Sequence, residues 1–166
     1  MILGPIRATG GEKARQSDTV FSASYLNIAR RDFTALTGGV MLSANSWKDN
    51  SFLALSANAK NYRDLSLSYQ WMVNGPNLPG RIRIQYSNNY GWSWRDLDND
   101  AGIIDCSNAE INTLYENTLR FPTPTNPKGN VRIRFAAEAG GILNDGSSTF
   151  AVGEIKLYGT SLTGAD

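Results

Sequence analysis

Residues 88–94, NNYGWSW, concentrate the side chains best suited to binding a ligand. An aromatic ring offers an apolar face on which a sugar ring stacks, and side-chain amides hydrogen-bond to hydroxyl groups. The stretch therefore predicts a carbohydrate site made of Asn88, Asn89, Tyr90 and Trp92. Core packing is the alternative use of these rings, and we expect at least one of Trp92 and Trp94 to lie in the core.

Three aspartates, Asp96, Asp98 and Asp100, follow at alternate positions. Carboxylate oxygens at positions one, three and five begin a common type of calcium-binding loop. The rest of that pattern is missing, because Ala101 stands at the sixth position and Ser107 at the twelfth. A solvated acidic turn is the alternative to a calcium site, and calcium is the only cofactor that the sequence suggests.

Four arginines, Arg81, Arg83, Arg132 and Arg134, occupy alternate positions of two strand-like segments. If the two strands are neighbours, the guanidinium groups form a basic stripe that can pair with carboxylates of another subunit or of an anionic glycan. Solvated strand faces with local ion pairs are the alternative. With sixteen basic and fifteen acidic residues in the chain, neither the stripe nor the net charge of +1 predicts nucleic-acid binding.

The residues offer little for catalysis. The chain has no histidine, which excludes Ser/His/Asp and Cys/His nucleophile systems and histidine zinc sites. Its single cysteine, Cys106, cannot form an internal disulfide, and we expect a buried, idle thiol. Glycoside hydrolysis needs two carboxyl groups about 5 to 9.5 Å apart, and nothing in the sequence gathers the candidates, which are Glu110, Glu116, Glu138 and Glu154. The sequence therefore predicts a protein that is not an enzyme.

Alternation of apolar and polar residues predicts the strands that position these side chains. Residues 65–73, LSLSYQWMV, alternate most clearly, and the pattern returns at 82–86, 131–137 and 150–159 between Gly, Pro and Asn clusters. Residues 92–94 are expected to begin another strand, whereas 29–33 suggest a helical turn or a loop. Two similar segments, GVMLSANSW at 39–47 and FLALSANAK at 52–60, are expected to pair with each other.

About eight or nine short strands without a long helix predict an all-β, antiparallel jelly-roll β-sandwich. The predicted sandwich spans residues 19–160, after an irregular N-terminal arm at 1–18 and before a C-terminal tail at 161–166. A chain of 166 residues is long enough to bury a core without a disulfide or a metal.

Over about residues 62–160, the sequence resembles the galactose-binding-like jelly rolls, in particular the cleaved-adhesin type of bacterial surface proteins. The resemblance rests on an alternating strand containing Trp71, the turn with Ser87, Gly91 and Trp94, the strand VRIRF at 131–135 and the final FAVGEIKLYG at 150–159. It implies that this turn joins two strands and that the arginine-bearing strand lies beside or opposite it. Such domains bind carbohydrate or protein, or serve as structural modules.

No signal peptide and no membrane-spanning stretch is predicted from the sequence, which starts at Met1. Together with the irregular arm, this favours a structural or attachment protein of a large assembly, in particular a phage virion component such as a capsid decoration, tail or fibre subunit. Its partners would be subunits of the same assembly in a homo-oligomer, in the virion or outside the cell. The alternative is a carbohydrate-binding module of a bacterial surface or secreted protein, with a glycan as the partner.

Overall fold

The computed structural model describes residues 6–7, 20–24, 27–32, 40–45, 47, 51–75, 80–122, 129–138 and 148–162. In chain order, the described strands are β1 (Ile6–Arg7), β2 (Val20–Ser24), β3 (Asn27–Asp32), β4 (Val40–Asn45), β5 (Phe52–Asn58), β6 (Tyr62–Asn74), β7 (Arg81–Ser87), β8 (Arg95–Asp96), β9 (Ile103–Asp105), β10 (Tyr115–Arg120), β11 (Asn130–Ala137) and β12 (Thr149–Ser161). Two short 3₁₀ turns, Asn99–Gly102 and Cys106–Asn108, flank β9.

The strands form two sheets, and every pair of described strands runs antiparallel. The seven-stranded sheet has the order β1-β2-β5-β11-β7-β8, with β9 also paired to β7. The five-stranded sheet has the order β10-β6-β12-β4-β3. From β4 to β7 and again from β9 to β12, each strand lies in the sheet opposite its predecessor, as in a jelly roll. The predicted all-β sandwich fold is confirmed.

The core lies between the two sheets because strands such as β6, β7 and β11 turn their apolar residues inward. Strand β6 shows the rule, since its alternate residues Leu65, Leu67, Tyr69, Trp71 and Val73 are all buried. Aromatic rings join the sheets, and Phe135 of β11 lies 5.3 Å from Tyr69 and 6.4 Å from Phe150 of β12 between ring centroids. Such offset and edge-to-face pairs add to the free energy of burying the rings.

The prediction that the two Leu-Ser-Ala-Asn segments pair with each other is wrong. Strand β4 pairs with β3 and β12 in the five-stranded sheet, whereas β5 pairs with β2 and β11 in the seven-stranded sheet. The chain crosses between the sheets near Trp47 and Ser51, both buried. A period of two fixes which face of a strand is buried but leaves its partner open.

Three further segments differ from expectation. Residues 27–32 form strand β3 instead of a helical turn or loop. Within the predicted arm, Ile6–Arg7 pairs with β2, so this part of residues 1–18 belongs to the seven-stranded sheet and the rest of the arm lies outside the described residues. Strand β12 continues to Ser161, and residues 163–166 of the predicted tail also lie outside. The described residues contain twelve strands instead of the expected eight or nine, mainly because β1, β8 and β9 are too short to show a pattern.

Candidate functional site

Residues 87–94, here called the 87–94 turn, connect β7 to β8 and are held by their own side chains. The buried Ser87 hydroxyl accepts hydrogen bonds from the amides of Gly91 (2.8 Å) and Asn89 (3.4 Å). The Asn89 side chain accepts from the Ser93 amide (3.0 Å) and donates to the Ser93 hydroxyl (2.8 Å). Side chains that bond to nearby backbone amides in this way favour turns over strands.

This bonding shows that the prediction of a strand at residues 92–94 is wrong. Tyr90 and Gly91 adopt positive φ angles of 62° and 89°, which reverse the chain, and the Trp92 amide donates to the Asn89 carbonyl at 3.3 Å. A strand would require extended φ angles and ladder bonds at these positions. The next ladder residues are Arg95 and Asp96.

The turn places its three aromatic rings in different environments. Trp92 is 89% exposed and Tyr90 is 63% exposed. Trp94 is half-buried, with its ring centroid 4.2 Å from the guanidinium carbon of Arg134 on β11. The expectation that Trp92 or Trp94 lies in the core is therefore wrong; among the described residues, the core tryptophans are Trp47 and Trp71.

Next to the turn, the outer face of the seven-stranded sheet carries the predicted basic stripe. Strands β7 and β11 are neighbours, as the stripe required, with Arg132 opposite Ser87 and Arg134 opposite Gln85. The intervening residues of both strands face the core. We call this surface the arginine face and define it by Arg81, Arg83, Gln85, Arg132 and Arg134.

Two carboxylates neutralise one end of the arginine face. Glu138 lies 2.7 Å from Arg83 and 3.4 Å from Arg81 between nitrogen and oxygen, and Arg83 also bonds to Asp96. The hydrogen bond from Arg83 holds the pKa of Glu138 below its ordinary value, with Arg81 adding to the effect and partial burial opposing it. The same bonds raise the pKa of Arg83. Arg81 and Arg83 therefore form local ion pairs, which was the alternative to a basic stripe that binds a partner.

Arg134 occupies the centre of the arginine face. Its Nε donates to Gln85 Oε1 at 2.8 Å, and its guanidinium carbon lies 4.2 Å from the Trp94 ring centroid and 5.8 Å from that of Phe52. Gln85 in turn donates to Asp96 at 2.9 Å. Burial among these groups lowers the pKa of Arg134, with the charge of Asp96 opposing this. Arg134 therefore has a structural part in joining the turn to β11.

The structure does not gather the three aspartates of the predicted calcium site. Asp96 bonds to Arg83 and Gln85, and the Asp98 carboxylate accepts the Arg120 amide at 2.9 Å. Asp100 is exposed in the 3₁₀ turn that follows. Within the part of the chain that the structure describes, no group of three or more acidic, cysteine or histidine residues is placed to hold a metal ion.

The predicted carbohydrate residues are brought together in the turn, but their availability differs. Trp92, Tyr90 and Asn88 are exposed, whereas the Asn89 amide is occupied in bracing the turn. The site residues predicted from the sequence did not include Gln85 and Glu138, which lie on the adjoining surface. Both alternate in register with the arginines of their strands, so the period-two pattern already placed them on the same face.

No family model and no curated protein matches the sequence. Solved structures share the fold. The carbohydrate-binding module TmCBM27, described as recognising mannan, aligns with a TM-score of 0.57 at 14% identity over 97% of this chain and 98% of that chain. CBM28, a module specific for non-crystalline cellulose, aligns with a TM-score of 0.54 at 13% identity over 96% of this chain and 99% of that chain.

A third structure, from work on promiscuous carbohydrate-binding modules of the β-sandwich superfamily, aligns with a TM-score of 0.57 at 10% identity. The alignment covers 93% of this chain and 62% of that chain, so this chain spans less than two thirds of its length. These similarities lend no support to a phage virion component. No described helix is long and apolar enough to span a membrane. The chain has the β-sandwich fold found in carbohydrate-binding modules, which confirms the fold implied by the sequence resemblance.

Proposed function

We propose that this protein is a non-catalytic carbohydrate-binding module whose site is the 87–94 turn and the adjoining part of the arginine face. The observation that carries the proposal is Trp92, an indole 89% exposed on a turn whose backbone is fixed by side-chain hydrogen bonds. Burying a large aromatic side chain is worth roughly 1.5–3 kcal/mol. A ligand that covers Trp92 recovers this free energy.

The bracing of the turn favours binding. A ring held on a rigid backbone loses little conformational entropy when a ligand stacks on it, because only the two side-chain torsions remain to be fixed. Hydrogen bonds among Ser87, Asn89, Gly91 and Ser93 supply this rigidity. In this proposal, the contribution of Asn89 is to hold the backbone, which replaces the amide contact expected from the sequence.

Polar groups that can orient a sugar lie next to the exposed rings. Asn88 is exposed at the start of the turn, and Arg132 is exposed on the adjacent strand. The Tyr90 hydroxyl lies 3.5 Å from the position that a Cβ on Gly129 would take, so this ring leans toward the beginning of β11. A stacking platform surrounded by a few hydrogen-bonding groups is the usual composition of a small-ligand site.

The fold similarity supports a glycan as the ligand. The proteins that align with this chain include modules described as recognising mannan and non-crystalline cellulose. The absence of histidine from the sequence and the occupation of Glu138 by two arginines both agree with binding without catalysis.

A polysaccharide panel in affinity gels, followed by titration calorimetry of each hit, tests the proposal. Trp92→Ala should weaken binding by about tenfold or more, since truncating a central aromatic contact costs on the order of 2 kcal/mol. Tyr158→Ala is the matched control, because Tyr158 is also an exposed aromatic residue (54%) but lies on β12 of the other sheet. Unchanged affinity in Trp92→Ala, with the loss in Tyr158→Ala instead, would exclude the 87–94 turn as the site.

A further inference from the structure

We infer that the saccharide bound at this site carries a carboxylate, so that the ligand is a polysaccharide containing uronic acid. This inference rests on the proposed glycan-binding function and specifies its substrate class. It follows from an uneven distribution of charge along the arginine face.

Neither carboxylate of the arginine face bonds to Arg132, because Glu138 lies at the far end of the face and Asp96 lies level with its centre. The Glu138 amide donates to the Arg81 carbonyl at 3.0 Å, and Asp96 is paired in register with Gln85. Both carboxylates bond to Arg83. At the other end, the side chain of Arg132 is exposed and forms no hydrogen bond or ion pair with any of the residues that the structure describes. The positive charge left without a partner is thus concentrated at Arg132.

Arg132 also lies against the backbone of the 87–94 turn, next to the residue that carries the proposed stacking ring. It is opposite Ser87 in the sheet, and its guanidinium nitrogen is 3.2 Å from the position that a Cβ on Gly91 would occupy. Gly91 immediately precedes Trp92. A ligand stacked on Trp92 therefore comes within reach of this guanidinium group.

The chemistry of the guanidinium group selects the ligand. Its planar set of donors matches the two oxygens of a carboxylate and forms two parallel, charge-assisted hydrogen bonds, which a neutral hydroxyl cannot reproduce. On an exposed face such a pair gives discrimination more than raw affinity. Uronic acids combine this planar carboxylate with a ring face able to stack on an indole, and they occur as repeating units of polysaccharides.

The test compares acidic polysaccharides with neutral forms of the same backbone. Polygalacturonate and its fully methyl-esterified form make one pair, and alginate and its propylene-glycol ester make the other. The wild-type protein should bind the acid form of at least one pair about tenfold or more tightly than the ester, as expected for a charge-assisted bond. Arg132→Gln should reduce this preference to about twofold or less. Arg132→Lys should keep part of it, since it retains the charge without the fork.

Two variants separate this inference from the proposed function. Arg63→Gln removes the same charge from an exposed arginine on β6 that pairs with Asp64, and it should leave the preference intact. One outcome would overturn the carboxylate inference but leave the proposed glycan site standing. In that outcome, Trp92→Ala abolishes binding, but the wild-type protein binds acid and ester equally tightly and Arg132→Gln does not change the affinity. Equal loss in Arg63→Gln and Arg132→Gln would also overturn it, because the effect would then be one of net charge. Failure to bind any polysaccharide would overturn both.

Discussion

The Trp94 ring lies against the guanidinium group of Arg134, 4.2 Å from ring centroid to guanidinium carbon, and this contact joins the 87–94 turn to strand β11. Arg134 also lies near the Phe52 ring and is held through its Nε by Gln85. The half-buried tryptophan thus serves the structure of the turn, and its exposed neighbour Trp92 is left for the ligand.

This division of roles predicts that two tryptophan substitutions differ in their effect on the free energy of unfolding. Trp94→Ala should lower the free energy of unfolding by about 1–2 kcal/mol, since it removes a partly desolvated cation–π contact and the packing around it. Trp92→Ala should change the free energy of unfolding by no more than about 0.5 kcal/mol, as is usual for an exposed side chain. Urea denaturation followed by circular dichroism measures both. A larger loss in Trp92→Ala would contradict the assignment.

Gly91 is predicted to be required for the shape of the turn. It has a φ of 89°, and an added Cβ would lie 3.2 Å from a guanidinium nitrogen of Arg132. Gly91→Ala should therefore lower the free energy of unfolding by about 1–2 kcal/mol. Gly129→Ala is the matched control, because among the described residues its Cβ would meet only the Tyr90 hydroxyl, at an ordinary 3.5 Å, and its φ lies outside the left-handed range. Equal stability of the two variants, measured by urea denaturation, would contradict this account.

The sequence predicted the parts of the fold that depend on alternation. Strands β6, β7, β11 and β12 each bury one face and expose the other over at least part of their length, so their positions and inward residues followed from the pattern. Pairing partners did not follow, and the two Leu-Ser-Ala-Asn segments lie in different sheets because contacts distant in sequence decide the neighbours.

The sequence predicted a turn at residues 88–91, which the structure contains, but not the part that each side chain plays in it. The alternation of Trp92 and Trp94 suggested that a strand begins directly after this turn. The structure instead forms a turn there because the side chains of Ser87 and Asn89 bond to local amides. Asp96 looked like a calcium ligand in its acidic run, but its partner Arg83 comes from a neighbouring strand and is not apparent from local spacing.

Acid should weaken the fold partly through Glu138. Its folded-state pKa is held below the ordinary 4.5, mainly by the hydrogen bond from Arg83, so the unfolded chain binds the proton more readily. This contribution to stability is complete above the unfolded pKa and is lost as pH falls through the folded pKa. Glu138→Gln should therefore flatten the decline of unfolding free energy below about pH 4.5. Identical pH profiles for wild type and variant, by urea denaturation at each pH, would contradict the prediction.

Cys106 is predicted to resist thiol reagents while the protein is folded. The side chain is fully buried, and burial, with a smaller effect from the charge of Asp105, raises its pKa to about 12. The reactive species is the thiolate, which is scarce at pH 8 for such a group and is also inaccessible. Mass spectrometry after iodoacetamide treatment should show labelling only when urea unfolds the chain. Rapid labelling of the native protein would contradict this burial.

The most direct test of the glycan site uses the indole N–H signals of the four tryptophans, Trp47, Trp71, Trp92 and Trp94, in a ¹⁵N-correlated NMR spectrum. Trp92→Phe and Trp94→Phe assign the two signals of the turn. Addition of a polysaccharide that binds in affinity gels should shift the Trp92 signal most, with a smaller change for Trp94 and almost none for the buried Trp47 and Trp71. Saturating ligand that leaves the Trp92 signal in place would contradict the central claim.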